Sequence, residues 1–170
     1  MTTEPNAVQP IPEGYRTVTP WIISRDTAKL LDFVKQAFGA EELGRVYVED
    51  GSIGHSEFKI GDSIVMAFDS KEEWPKTSCF LRLFVPDGDA VYHQALSAGA
   101  TSVTEMTSMF WGDRGGRVRD PFGNIWWIQT HVENVDPQDM AKRATEQEYR
   151  DAMRYAQESF DREMRSRVLK

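Results

Sequence analysis

Residues 111–131 read WGDRGGRVRDPFGNIWWIQTH, and the fold is decided by how this stretch is read. Asp120-Pro121-Phe122-Gly123 has the residue order of a type I turn, with Asp first, Pro second and Gly fourth. Arg117 to Arg119 runs into the turn and Ile125 to Thr130 runs out, which predicts two antiparallel strands. Alternation places Ile125, Trp127 and Gln129 on one face and Trp126, Ile128 and Thr130 on the other. Both faces are largely apolar, so the outgoing strand is expected to be covered on both sides. One face can pack on helices while the other lines a cavity.

Working outward, the same order of elements occurs twice. Upstream, Arg16 to Ser24 reads as a strand, with Pro20 marking an edge or a bulge. Asp26 caps a helix carrying Leu30, Leu31, Val34, Ala37 and Phe38, which Gly39 ends. Strands follow at Glu42 to Val48, Ile53 to Ile60 and Ser63 to Phe68, joined by turns at Asp50-Gly51 and Gly61-Asp62. In the second copy Cys79 to Val85 is the strand, and Asp87 or Asp89 starts a helix that ends at Gly99. Strands near Thr101 to Glu105, Gly116 to Arg119 and Ile125 to Thr130 complete it. The Gly61 and Asp120–Gly123 turns lie about sixty residues apart at matching places. This predicts an α+β chain of two tandem β-α-β-β-β modules, over residues 15–70 and 78–133.

Residues 1–14 carry Pro5, Pro10 and Pro12 among polar residues and read as a loose arm. At the other end, 136–168 reads as a helical extension opened by Asp136 as N-cap and Pro137 at the first helical position. Tyr149, Met153, Ala156, Phe160, Met164 and Val168 form one stripe of a long helix, packed on the domain or on a second subunit.

Composition narrows the function classes. With 20 basic against 27 acidic residues the net charge is -7, which argues against a nucleic-acid partner. One cysteine, Cys79, allows no intrachain disulfide and fits a reducing compartment. No signal-peptide pattern and no membrane-length apolar run are present, so the expectation is a cytoplasmic protein without a membrane partner.

The two modules, with Phe110-Trp111-Gly112-Asp113-Arg114, Asp120-Pro121-Phe122-Gly123 and Thr130-His131-Val132-Glu133, resemble the PhnB-like branch of the vicinal oxygen chelate superfamily. That group includes glyoxalase I, bleomycin-resistance proteins and extradiol dioxygenases, and the resemblance covers residues 14–140. It implies U-shaped sheets around a cavity, and homodimers. In metal-using members, ligands sit on the first and last strands of each module. The matching positions here are Thr19, Val65 or Met66, Phe80 and Trp127. None of these is an imidazole or carboxylate, so the resemblance implies a protein with no metal and no cofactor.

Several residues carry candidate chemistry. His55 and Glu57 share a strand face, either as a proton-transfer or ligand-binding pair or as a structural hydrogen bond. His93 reads as a solvated helix residue, and His131 as a strand-end residue with a backbone hydrogen bond. Trp111 and Asp113 sit in a Gly-rich connection, where Trp111 forms an aromatic wall or a barrel plug. Asp113 orients a ligand or pairs with Arg114 or Arg117. Arg114, Arg117 and Arg119 offer a weak anion site, because so many acidic residues are available to neutralise them. Cys79 has no base in sequence to activate it.

Three functions follow. One is a metal-free protein binding a small aromatic or amphipathic molecule through His55, Glu57, Trp111, Asp113, Trp127 and Gln129. Another is a lyase, isomerase or dioxygenase-type enzyme using His55 and Glu57 as acid/base or as an atypical metal site. The last is an interaction protein that assembles through its C-terminal helix.

Overall fold

A computed structural model describes residues 8–168. The elements run β1 (Trp21–Ser24), α1 (Thr27–Phe38), β2 (Glu41–Tyr47), β3 (Ile53–Ile60) and β4 (Ser63–Asp69). They continue with β5 (Phe80–Phe84), α2 (Gly88–Ser97), β6 (Thr101–Ser108), β7 (Asp113–Arg119) and β8 (Ile125–His131). Two helices close the chain, α3 (Pro137–Arg143) and α4 (Gln147–Val168). The strands form two four-stranded mixed sheets with matching orders, β1-β4-β3-β2 and β5-β8-β7-β6. In each sheet the first strand pairs in parallel with the last, and the other pairings are antiparallel. The expected α+β architecture of two β-α-β-β-β repeats and a long C-terminal helix is therefore present.

The chain divides into two compact units, one made of residues up to 35 and 39–77, the other of residues 36–38 and 78 onward. In the first, Ile22, Leu30, Leu31, Val34, Phe58 and Ala67 are fully buried. Alternation along β1, β3 and β4 and the 3.6-residue period of α1 bring these side chains to one interior. In the second, Tyr92 and Ala95 of α2 are buried with Val118, Trp126 and Ile128. Local capping chemistry sets the helix starts. Asp26 accepts from Lys29 N, Asp87 from Ala90 N, and Asp136 from Gln138 N and Asp139 N.

The turn before β8 is closed by Gly123 N donating to Asp120 O at 3.1 Å, with Gly123 at φ 97°, a backbone region that favours glycine. The Asp120 carboxylate receives Phe122 N, Asn124 N, Asn124 Nδ2 and Trp126 Nε1, all at 2.8–2.9 Å.

Several boundaries shift. β1 is Trp21–Ser24 rather than Arg16 to Ser24; Pro20 has no N–H to extend the ladder, although its carbonyl accepts from Met66 N. β6 extends to Ser108 and β7 begins at Asp113, so the connection shrinks to residues 109–112 and Asp113 and Arg114 are strand residues. The C-terminal extension is two helices, not one: Thr145 N and Glu146 N make three-residue turns to Lys142 O and Arg143 O. The Thr145 hydroxyl also donates to Lys142 O, and no residue of α3 is buried to hold it in line with α4. Of the arm expected over residues 1–14, residues 1–7 lie outside the described residues, and 8–14 form neither helix nor strand. Among the described residues, no helix is long and apolar enough to cross a membrane.

Candidate functional site

The face of the second sheet opposite α2 is built by register. Phe80 pairs with Ile125, Arg82 with Trp127, and Arg117 with Trp127 from the other side. Helix α4 crosses this face. Glu105 N donates to the Tyr155 hydroxyl oxygen at 2.9 Å, and Ser159 Oγ lies 2.7 Å from Thr104 Oγ1. Glu163 pairs with Arg119 and Arg167, and Arg167 Nη1 donates to Ser78 Oγ at 2.8 Å. Beside the helix remains a cavity of about 270 Å³ whose walls include Phe80, Arg82, Arg117, Ile125, Trp127 and Phe160.

Two guanidinium groups meet one indole in this cavity. Arg82 lies 3.8 Å and Arg117 3.9 Å from the Trp127 ring centroid, each from a neighbouring strand. The attraction of a cation for the negative ring face holds both there. Gly115 on β7 leaves room for the indole; a Cβ at that position would lie 2.8 Å from Trp127 Nε1. Arg117 is half-buried, and burial first, then the Arg82 charge, lower its pKa to about 10. Its Nη1 donates to Thr104 Oγ1 at 3.1 Å and to Ala156 O at 2.8 Å, both uncharged. Among the described residues no carboxylate pairs with Arg82 or Arg117. The other two arginines of the sequence-level anion site are neutralised, Arg114 by Asp89 and Arg119 by Glu163.

A divalent cation does not fit this arrangement. Thr19, Val65, Met66, Phe80 and Trp127 supply no imidazole or carboxylate, and the Trp127 position carries two positive charges. Among the described residues, no three His, Cys, Asp or Glu side chains converge as a metal cluster.

Trp111, Asp113 and Gln129 are brought together at one end of the same sheet. Asp113 Oδ2 accepts from Trp111 Nε1 at 2.8 Å and from Gln129 Nε2 at 2.9 Å, while Oδ1 meets His131 Nδ1 at 2.6 Å. His131 Nε2 faces Asn134 Oδ1 at 2.9 Å. With an acceptor at each ring nitrogen the charged imidazole is favoured, and Asn134 and then Asp113 raise its pKa. Asp113 thus pairs with neither Arg114 nor Arg117, and the His131 ring binds side chains rather than backbone. Asp113 is a hub because β7 and β8 place it directly opposite His131.

His55 and Glu57 lie in the first unit. Glu57 Oε1 accepts from Tyr15 at 2.5 Å and lies 3.0 Å from His55 Nε2. Tyr15, and then His55, lower the Glu57 pKa, and the bond to Glu57 raises that of Tyr15. Burial pushes the Cys79 thiol up, away from a nucleophilic thiolate.

Three residues escaped the sequence reading. Nothing local marks Tyr15. Phe160 was legible only as part of a packing stripe. Arg82 had a signal, since Leu81 and Leu83 alternate with Phe80, Arg82 and Phe84, which put a lone cation on one strand face.

The sequence profile of the glyoxalase/bleomycin resistance protein/dioxygenase superfamily matches residues 16–128. An uncharacterised protein of Mycobacterium bovis is 38% identical over 130 residues, covering 70% of this chain and 86% of that one. Among solved structures, TioX from Micromonospora sp. ML1 is 25% identical with a TM-score of 0.57, covering 68% of this chain and 99% of its own. A PhnB protein from Bacillus cereus shares the fold at 17% identity and a TM-score of 0.51, over 69% of this chain and 100% of its own. The profile ends inside β8, so α3 and α4, with the pocket wall Phe160, lie beyond the match. With the first β-α-β-β-β repeat and the second as far as the middle of β8 inside the matched span, this chain belongs to the glyoxalase/bleomycin resistance protein/dioxygenase superfamily.

Proposed function

We propose that this chain is a metal-free small-molecule-binding protein of the PhnB-like branch, whose second-sheet pocket holds a small aromatic or amphipathic compound. The observation that carries the reading is the cavity of about 270 Å³ beside Trp127. Phe80, Ile125 and Phe160 give it apolar walls, and burial there contributes about 25 cal/mol per Å² of apolar surface removed from water. Trp127 lines its centre, with Trp111, Asp113 and Gln129 ordering one end of the same sheet. His55 and Glu57 give the first module a polar face of its own. Sequestration of a toxic compound or antibiotic is the physiological version, in keeping with the resistance proteins in the family's name. The reading takes the protein to be a cytoplasmic homodimer with neither nucleic-acid nor membrane partners.

The test is mass spectrometry of small molecules released from untagged, chelator-free protein, with elemental analysis alongside. The expected result is an organic compound that Trp127→Ala no longer retains. A stoichiometric divalent metal, or a compound retained equally by the variant, overturns the reading.

A second reading, acid–base catalysis in the first module, is favoured by the Tyr15–Glu57–His55 chain, in which one carboxylate oxygen meets two titratable partners. Turnover of any substrate that survives His55→Ala removes its base.

A further inference from the structure

We propose that the second-sheet pocket selects a small organic anion, with Arg82 and Arg117 holding its charge and Phe80, Ile125 and Phe160 enclosing its apolar body. This rests on the small-molecule reading above and adds the sign of the ligand's charge.

The argument begins with where the acidic residues are. The chain has 27 acidic and 20 basic side chains, so a cation without a carboxylate partner is left so against the balance of composition. The other arginines on the strands of this sheet are matched, Arg114 with Asp89 and Arg119 with Glu163. Arg82 and Arg117 instead flank Trp127, and no described carboxylate reaches either. Arg117 is half-buried, and its protein acceptors are a hydroxyl and a carbonyl, both on Nη1. Desolvating a cation beside a second cation is costly unless a counter-charge arrives. The low Arg117 pKa registers that cost, with burial its larger cause and Arg82 the next. A ligand anion removes it, and a guanidinium fork matches carboxylate, phosphate or sulfonate oxygens in geometry.

Trp127 takes a different role from the one its sequence suggests. With a guanidinium approaching from each neighbouring strand, the indole is a positioning residue that sets the two charges rather than an open stacking platform. The apolar walls then distinguish an anion with a hydrophobic body from a bare inorganic one. Arg82 is exposed on the edge strand β5, where an incoming anion meets it first.

The test is calorimetry on the full chain at low salt with 1-naphthoate and its uncharged analogue 1-naphthamide. Charged hydrogen bonds of the usual strength predict naphthoate binding about tenfold or more tighter than the amide. Arg82→Gln, at an exposed position, is expected to remove most of that difference while keeping the wild-type circular dichroism spectrum. Equal affinity for acid and amide, or an unchanged preference in Arg82→Gln, overturns the anion assignment and leaves the pocket standing. Failure of both compounds to bind overturns the pocket reading as well.

Discussion

Ser159 Oγ on α4 lies 2.7 Å from Thr104 Oγ1 on β6, and both residues are almost wholly buried. Arg117 reaches the same Thr104 hydroxyl and the Ala156 carbonyl one turn earlier on the helix. The small side chains of Ala156 and Ser159 let α4 lie close enough for these bonds. The helix is thereby fastened to the sheet whose pocket it walls. Ser159→Leu overfills this contact and is expected to lower stability by about 1–3 kcal/mol and to speed proteolysis within α4. Urea titration and limited trypsin digestion measure both. Unchanged values would mean that the helix is not docked this way.

Asp120 is 2% exposed and accepts four hydrogen bonds, from Phe122 N, Asn124 N, Asn124 Nδ2 and Trp126 Nε1. Asp120→Ala leaves these donors without an acceptor where water enters poorly. The expected loss is about 3 kcal/mol or more, read as a fall in urea midpoint at constant slope. A loss below about 1 kcal/mol would show that the turn holds β8 without the carboxylate.

Glu42 is bound by Arg45 at 2.5 and 2.8 Å and by Lys35, and these partners lower its pKa to about 2 from an ordinary value of 4.5. A lowered carboxyl stabilises the fold above its unfolded value. That contribution drains away as pH falls from 4.5 towards 2. Discounted for solvent contact, it is about 1–2 kcal/mol at neutral pH. Stability curves of wild type and Glu42→Gln should separate at pH 7 and converge near pH 2; parallel curves contradict the pairing.

His131 is expected to titrate above its ordinary 6.5, because Asn134 and Asp113 both favour the charged ring. Its stabilising contribution is complete below 6.5 and is lost as pH rises through the raised folded value. In Asp113→Asn the carboxylate is gone while Asn134 remains, so the titration moves down. Proton NMR of the imidazole reads this directly, and an unmoved midpoint would refute the His131–Asp113 bond.

The sequence by itself determined the repeated β-α-β-β-β order, the Asp26 and Asp136 helix starts, a start at Asp87 or Asp89 for the second helix, and the Asp120–Gly123 turn. Each is a local matter, in which a side chain satisfies backbone groups a few residues away or a strand alternates at a period set by its own geometry. Residues distant along the chain were decided only by the tertiary structure. Arg114 and Arg119 look alike in sequence to Arg117, yet Asp89 neutralises the first and Glu163 the second, while Arg117 meets Trp127 and uncharged oxygens. Tyr15 at Glu57 and His131 at Asp113 are likewise pairings across the chain. A charge count is a sum over the whole molecule, whereas the counter-ion each side chain finds depends on distances of a few ångströms that only packing sets.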